Sequence, residues 1–204
     1  MLLVVGTRNR KKRDELLDML AIPGLQLATL DQFPAAPEVV EDGATFAANA
    51  EKKASELARA LGRWALGEDS GLAVDALSGA PGIFSARYAG EPCNDEANND
   101  KLLAELAQVP PERRGAHYVC AMAVADPTGA IRAESYGRCF GRIAFERRGT
   151  GGFGYDPLFL FGDGDATFGE LPAAVKRANS HRAAACAAIR PALARLVAAS
   201  GEGP

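Results

Sequence analysis

The 204-residue sequence predicts a single α/β domain, and three patterns carry that expectation. Residues 2–5 form a continuous apolar run closed by Gly6, as a buried strand entering a turn would. Residues 45–61 repeat Phe46, Ala50, Ala54, Leu57 and Leu61 at helical spacing. Residues 117–125 and 130–143 read as two long strands joined by Asp126-Pro127-Thr128-Gly129, a hairpin turn.

The elements follow in order. After the first strand, residues 11–20 predict a helix with Leu16, Leu17 and Leu20 on one face, and residues 26–30 a second strand. Two prolines and several acids make 34–42 a loop. On the helix at 45–61, Lys53 lies about 20° from Phe46 on the helical wheel, at the edge of the apolar stripe. A strand at 64–66 leads into Glu68-Asp69-Ser70-Gly71, expected to turn, and a further strand at 72–77. Residues 79–82 read as a turn and 94–108 as a helix with Leu102, Leu103 and Leu106 inward. A glycine-rich segment, 149–154, precedes a helical C-terminal part carrying Ile189, Leu193, Leu196 and Val197. Pro191 is expected to kink that helix or mark its first turn, and residues 201–204 to fray. No repeat or low-complexity linker divides 1–204.

Composition bounds the function. A formal net charge of −3 argues against a non-specific nucleic-acid binder, yet leaves room for a few lysines to hold one anionic ligand. Cys93, Cys120, Cys139 and Cys186 are widely spaced with no CxxC, which disfavours structural zinc and reads as reduced thiols in the cytoplasm. Residues 1–5 are too short for an export signal, and no stretch is expected to reach the roughly 20 apolar residues of a membrane span.

Five constellations carry possible chemistry. Gly6-Thr7-Arg8-Asn9-Arg10-Lys11-Lys12 lies between a strand and a helix, where backbone N–H groups suit phosphate, although the P-loop pattern is missing. The same stretch also reads as a solvated basic helix start. Glu68-Asp69 offers carboxylates after a strand, fit for Mg²⁺ or for activating water, or else a plain acidic turn. On an extended strand the two would point to opposite faces, so both reach one ion only if the chain turns. Glu41 adds a carboxylate or decorates a loop. Gly151-Gly152-Phe153-Gly154-Tyr155-Asp156-Pro157 allows close backbone approach and aromatic stacking on a base, or is a tight turn with core aromatics. Lys176 and Ser180-His181-Arg182 complete the set, with Ser180 placed to cap the last helix.

These residues resemble the Ham1-like family of inosine/xanthosine triphosphate pyrophosphatases. The resemblance runs through Thr7-x-Asn9-x-x-Lys12, Glu41-x-Gly43-x-Thr45-Phe46-x-x-Asn49-Ala50-x-x-Lys53 and Glu68-Asp69-Ser70-Gly71-Leu72. It continues through Gly79-Ala80-Pro81-Gly82-x-x-Ser85-Ala86-Arg87-Tyr88, the glycine-rich segment 149–157, and Phe168-x-Glu170-Leu171 with Lys176 and Ser180-His181-Arg182. Six segments in family order span nearly the whole chain. The resemblance implies an elongated mixed β-sheet with flanking helices forming two lobes around a central cleft, and a homodimer. It further implies Mg²⁺-dependent hydrolysis of XTP, dITP and ITP to the monophosphate and pyrophosphate. Carried over by position, Asp69 is the expected general base and, with Glu41 and Glu68, a metal residue. Thr7, Arg8, Asn9, Arg10, Lys11, Lys12 and Lys53 are expected on phosphates. Ser70, Phe153, Gly154, Tyr155, Asp156, Lys176, His181 and Arg182 are expected on the nucleotide, the last two near the base. Glu68 stands where some members have aspartate, and Arg8 where some have glycine.

Overall fold

The computed structural model describes residues 1–201; apart from Gly201, the expected fraying of 201–204 lies outside the described residues. Six strands form one mixed sheet: β1 (Leu2–Val5), β2 (Gln26–Thr29), β3 (Trp64–Val74), β4 (Gly115–Ala125), β5 (Ile131–Ile143) and β6 (Phe159–Phe161), in the order β2-β1-β3-β4-β5-β6. β1 runs parallel to both β2 and β3, with Val5 level with Thr29 and Leu66, while β5 and β6 are antiparallel. The helices are α1 (Arg10–Met19), α2 (Phe46–Leu61), α3 (Asp95–Glu105), α4 (Ala173–Asn179) and α5 (His181–Gly201).

The chain forms two compact units. The first comprises Met1–Asp69, Cys120–Gly137 and the chain from Arg182 onward; the second comprises Ser70–Val119 and Arg138–His181. Strands β3, β4 and β5 contribute residues to both.

In the first unit, alternation along the strands sorts the core into two layers. Leu3, Val5, Leu66, Cys120, Met122 and Val124 pack with Leu16 and Leu20 of α1 and Ala185, Cys186, Ile189 and Leu193 of α5. Val4, Ala65, Ala121, Ala123 and Ala125 face the other way, against Ala50, Ala54, Leu57 and Ala58 of α2. Small residues on both sides bring α2 very close to the sheet. A Cβ added at Gly67 would stand 2.0 Å from the Ala50 carbonyl oxygen.

In the second unit, Leu72, Val74, Leu102, Leu106, Tyr118, Tyr155, Phe159 and Phe168 form the core. Tyr118 and Phe159 meet at 4.6 Å between ring centroids, in a tilted pair. Arg114 is buried and donates to the carbonyls of Ile143 (2.8 Å), Leu106 (2.7 Å) and Ala144 (2.9 Å). Burial lowers the pKa of its guanidinium.

Several expectations are corrected. No turn interrupts β3: residues 64–74 form one strand through Glu68-Asp69-Ser70-Gly71. Gly71 serves close approach rather than turning, since a Cβ there would stand 2.6 Å from the Gly82 carbonyl oxygen. Residues 75–77 leave the strand as a 3-10 turn. The C-terminal part is two helices separated at Ser180, and α5 continues through Pro191, which is therefore not in its first turn. Residues 181–200 also contain a window of mean hydropathy 1.3, long and apolar enough by composition to cross a membrane, contrary to the sequence expectation. Alanines and the aliphatic residues Ile189, Leu193, Leu196 and Val197 together produce that value, and the face carrying Ala185, Cys186, Ile189 and Leu193 packs in the core. All four cysteines are free thiols, three of them buried.

Candidate active site

The first unit assembles the expected phosphate and metal residues from three elements. α1 opens at Asn9, whose side chain accepts the Lys12 backbone N–H at 3.1 Å, while Thr7 Oγ1 accepts the Asn9 N–H at 3.2 Å. This cap explains how a helix can start among cations that oppose its dipole. Arg8, Arg10 and Lys11 are exposed, and Arg8 donates to the Ala36 carbonyl at 3.1 Å. Lys12 places its ammonium 3.1 Å from Glu68 Oε2.

α2 supplies the second element. Thr45 caps it by accepting the Ala48 N–H. Asn49 and Lys53, four residues apart, present their side chains from one helix face. Asn49 Nδ2 donates to Asp69 Oδ2 at 2.9 Å, and its Oδ1 accepts the Gly43 N–H at 2.7 Å. Lys53, buried as its place on the stripe predicts, donates to the Glu68 carbonyl oxygen at 2.8 Å and pairs with Glu41 at 3.0 Å.

β3 supplies the acids. Because the strand does not turn, Glu68 and Asp69 leave opposite faces of the sheet. Asp69 points to the α2 side and meets Asn49. Glu68 points to the α1 and α5 side, where Arg182 Nη2 donates to its Oε1 at 2.9 Å and Cys120 Sγ lies 3.5 Å away. Arg182 also pairs with Glu15 of α1. Burial is the largest influence on Asp69 and raises its pKa, against the lowering pull of Asn49, Lys12 and Lys53 and with help from Glu41. Burial thus outweighs the nearby cations.

The second unit holds most of the residues expected on the nucleotide. The Asp156 carboxylate accepts the Phe153 N–H at 2.8 Å and the Lys176 ammonium at 2.6 Å, and Tyr118 donates to it at 3.3 Å. The Lys176 ammonium also stands 4.2 Å from the Phe153 ring centroid. Tyr155 donates its hydroxyl to the Ser85 carbonyl at 2.8 Å, and His181 stacks on Tyr118 at 4.7 Å and 14°. Ser70 is half-buried on β3.

Asp156, Lys176 and His181 are therefore buried parts of one hydrogen-bonded and stacked group, while Arg182 spends its guanidinium on carboxylates of the first unit. Sequence reasoning assigned no role to Asn49 or Glu15. The i, i+4 spacing of Asn49 to Lys53 and the i, i+3 spacing of Lys12 to Glu15 were the available signals.

The geometry can be set beside known proteins. Residues 3–192 match the model of the Ham1 family. A dITP/XTP pyrophosphatase of Rhodopirellula baltica is 55% identical over 195 residues, covering 96% of this chain and 94% of the relative. Another of that name from Geobacter sulfurreducens is 50% identical over 188 residues, covering 92% and 94%. Among solved structures, a HAM1 protein from Coxiella burnetii superposes with a TM-score of 0.87 at 34% identity, covering 96% of this chain and 99% of that one. The Staphylococcus aureus Ham1 protein gives 0.85 at 34% identity, with both chains covered completely. With a family match over most of its length and relatives at this identity, the chain belongs to the Ham1 family.

Proposed function

We propose that this protein hydrolyses the triphosphates of deaminated purines, XTP, dITP and ITP, to the nucleoside monophosphate and pyrophosphate, removing them from the nucleotide pool, and that it requires Mg²⁺. Relatives sharing about half of its residues over nearly their whole length are named dITP/XTP pyrophosphatase. The observation that carries the mechanism is a buried Asp69 held by Asn49, with Lys12 and Lys53 each resting on an acidic residue.

In this reading Lys12 and Lys53 exchange their carboxylate partners for phosphate oxygens, helped by Thr7, Asn9 and the basic residues around them. Asp69 takes a proton from the water that attacks the α-phosphorus, and the bond to the bridging oxygen breaks to release pyrophosphate. Burial raises the Asp69 pKa above that of a free aspartate, the direction that favours a general base. Asp69 and Glu41, the latter paired with Lys53 of α2, offer the hard oxygen donors that magnesium prefers, whereas Glu68 leaves the opposite face of β3, is engaged by Lys12 and Arg182, and does not join them on one ion. Among the described residues no three His, Cys, Asp or Glu side chains form a metal-holding group. Two carboxylates, Asp69 and Glu41, together with substrate phosphates and water are a common way of holding this ion, so the donor set fits. When bound, the ion would offset charge on the phosphates and the leaving group. Phe153, Gly154, Tyr155, Asp156, Lys176 and His181 are assigned to the nucleoside. A donor aimed at the 6-oxo oxygen would mismatch adenine, whereas rejecting guanine needs a block against its 2-amino group. The active form in this reading is a cytoplasmic homodimer.

Purified protein with Mg²⁺ and each of dITP, XTP, ITP, GTP and ATP is the direct test. Monophosphate and pyrophosphate from the first three, with slow GTP and ATP, is the expected result. Orthophosphate and a diphosphate would refute the cleavage site, and activity undiminished by a chelator would refute the magnesium requirement. Light scattering behind a sizing column would refute the dimer by returning a monomer mass.

A further inference from the structure

Gly154 lies inside the segment assigned to the nucleobase, and it is held in an unusual way. Its φ is +60°, in the left-handed region, and no atom lies within 4 Å of where a Cβ would project. Side-chain packing therefore does not locate it. Two side chains of α3 do. The Gly154 N–H donates to Asp95 Oδ2 at 2.9 Å, and Asn99 Nδ2 donates to the Gly154 carbonyl oxygen at 3.0 Å. Asp95 and Asn99 are four residues apart, so one face of the helix presents both.

We infer that Asp95 and Asn99 are positioning residues for nucleobase selection: they clamp Gly154 at both its N–H and its carbonyl, and so fix where the adjacent Phe153 meets the base. The inference rests on the reading of 153–156 as base-contacting.

Three features carry it. Asn99 is almost completely buried, and its Oδ1 has no hydrogen-bond partner among the described residues. An unpaired buried acceptor is costly, and an apolar residue of similar shape would avoid it. The amide is retained for what its N–H does. Asp95 is exposed and contributes little to the core, yet it occupies the first position of α3, where the helix dipole favours a carboxylate. The helix itself is anchored to the same stretch of chain by Arg147, which donates to the Glu96 carbonyl at 2.8 Å and to Asp100 at 2.9 Å.

The neighbours on either side of Gly154 are held elsewhere, Phe153 by Asp156 and Tyr155 by Ser85. The peptide between them is what α3 controls. Misplacing this peptide would weaken the contact with the base without disturbing the reacting phosphate, so a clamp on it bears directly on selectivity.

The test compares Asp95→Ala, Asp95→Asn, Asn99→Asp and Phe153→Ala in steady-state hydrolysis of dITP and dGTP. Asp95→Ala and Asn99→Asp should each raise KM for dITP about tenfold, with kcat within about threefold, because uniform binding is lost rather than transition-state stabilisation. The dITP-to-dGTP ratio of kcat/KM should shrink about tenfold. Asp95→Asn keeps an acceptor oxygen and should recover most of the loss. The Tm of Asp95→Ala should fall by no more than about 4 °C, because the exposed side chain contributes only its helix-start and Gly154 interactions to stability. If Phe153→Ala alters KM and selectivity while Asp95→Ala and Asn99→Asp do not, the clamp is wrong and the base assignment survives. If Phe153→Ala alters neither, the base assignment itself fails. An Asp95→Asn variant as impaired as Asp95→Ala would also overturn the clamp. Should Asn99→Asp not fold, the two Asp95 variants decide the question alone.

Discussion

Arg182→Met should be among the most destabilising single substitutions in the first unit, because it strands a buried carboxylate. The side chains of Arg182 and Glu68 are each 1% exposed and meet at 2.9 Å. Burial works to lower the Arg182 pKa, yet Glu68, with smaller contributions that include Glu15, carries it above the ordinary arginine value. Removing one partner of a buried pair typically costs about 3–5 kcal/mol. Lys12 remains 3.1 Å from the other oxygen of Glu68, which places the expected loss at the low end, about 3 kcal/mol. Glu68→Gln leaves Arg182 paired with Glu15, so its expected cost is smaller, about 2 kcal/mol. The double variant leaves neither charge stranded by the other and should lose about 3 kcal/mol, well short of the sum, a coupling of about 2 kcal/mol. The assay is urea unfolding followed by Trp64, the single tryptophan, which packs against the core layer that contains Leu66 and Cys120. For a chain of this size Arg182→Met should also lower Tm by roughly 6–12 °C. Costs that add to within about 0.5 kcal/mol would refute the coupled pair. A loss below about 1 kcal/mol for Arg182→Met would refute the claim that Glu68 depends on it.

Three other outcomes follow from the same geometry. Asp69→Asn should lower kcat at least about a hundredfold while calorimetry still detects nucleotide binding, and retained turnover would remove Asp69 from the base role. Gly67→Ala must displace α2, because its new methyl would stand 2.0 Å from the Ala50 carbonyl oxygen; a loss of about 1–3 kcal/mol or more is expected in urea unfolding, and an unchanged midpoint would contradict the packing. Asp126 is held down to about 2, chiefly by the Thr128 hydroxyl and then by Arg132, against the pull of desolvation. A depressed carboxylate contributes stability that is present above its unfolded value of about 3.8 and is lost as pH falls through about 2. The Tm deficit of Asp126→Asn should therefore close across that window; a deficit independent of pH would show that the carboxylate's charge is not what the hairpin uses.

Helical periodicity made α2 legible, including the burial of Lys53, because a face that packs on a sheet must repeat at 3.6 residues. The hairpin at Asp126 was equally legible from local turn chemistry. β3 was not. Ser70-Gly71 resembles a turn in sequence, and only the three-dimensional neighbours of Gly71, namely Gly82 and Ser85, show that the glycine is there for room. β6 is three residues long and owes its existence to pairing with β5, which no local pattern announces. Within the site, the types of Lys12, Lys53, Glu41, Glu68 and Asp69 pointed to phosphate and metal chemistry, but their partners were hidden. Arg182 reaches Glu68 across 114 positions of sequence, so its engagement with a carboxylate could not be read from spacing.

The uninterrupted strand also changes how the acidic pair must be understood. Adjacent residues on β3 serve different helices: Glu68 meets α1 and α5 through Lys12 and Arg182, and Asp69 meets α2 through Asn49. Their division of labour is thus a matter of register, since a slip of one residue would exchange the two environments completely. That register alone does not bring α2 within reach of Asp69. The alanines of the facing core layer and Gly67 do so, by letting the helix settle until Asn49 reaches Asp69 at 2.9 Å and Lys53 reaches the Glu68 carbonyl at 2.8 Å. A bulkier residue at 67 would move both side chains away together, although neither changes in identity. The small residues beneath α2 therefore help set the environment that raises the pKa of Asp69, and the core packing of the first unit is part of its chemistry.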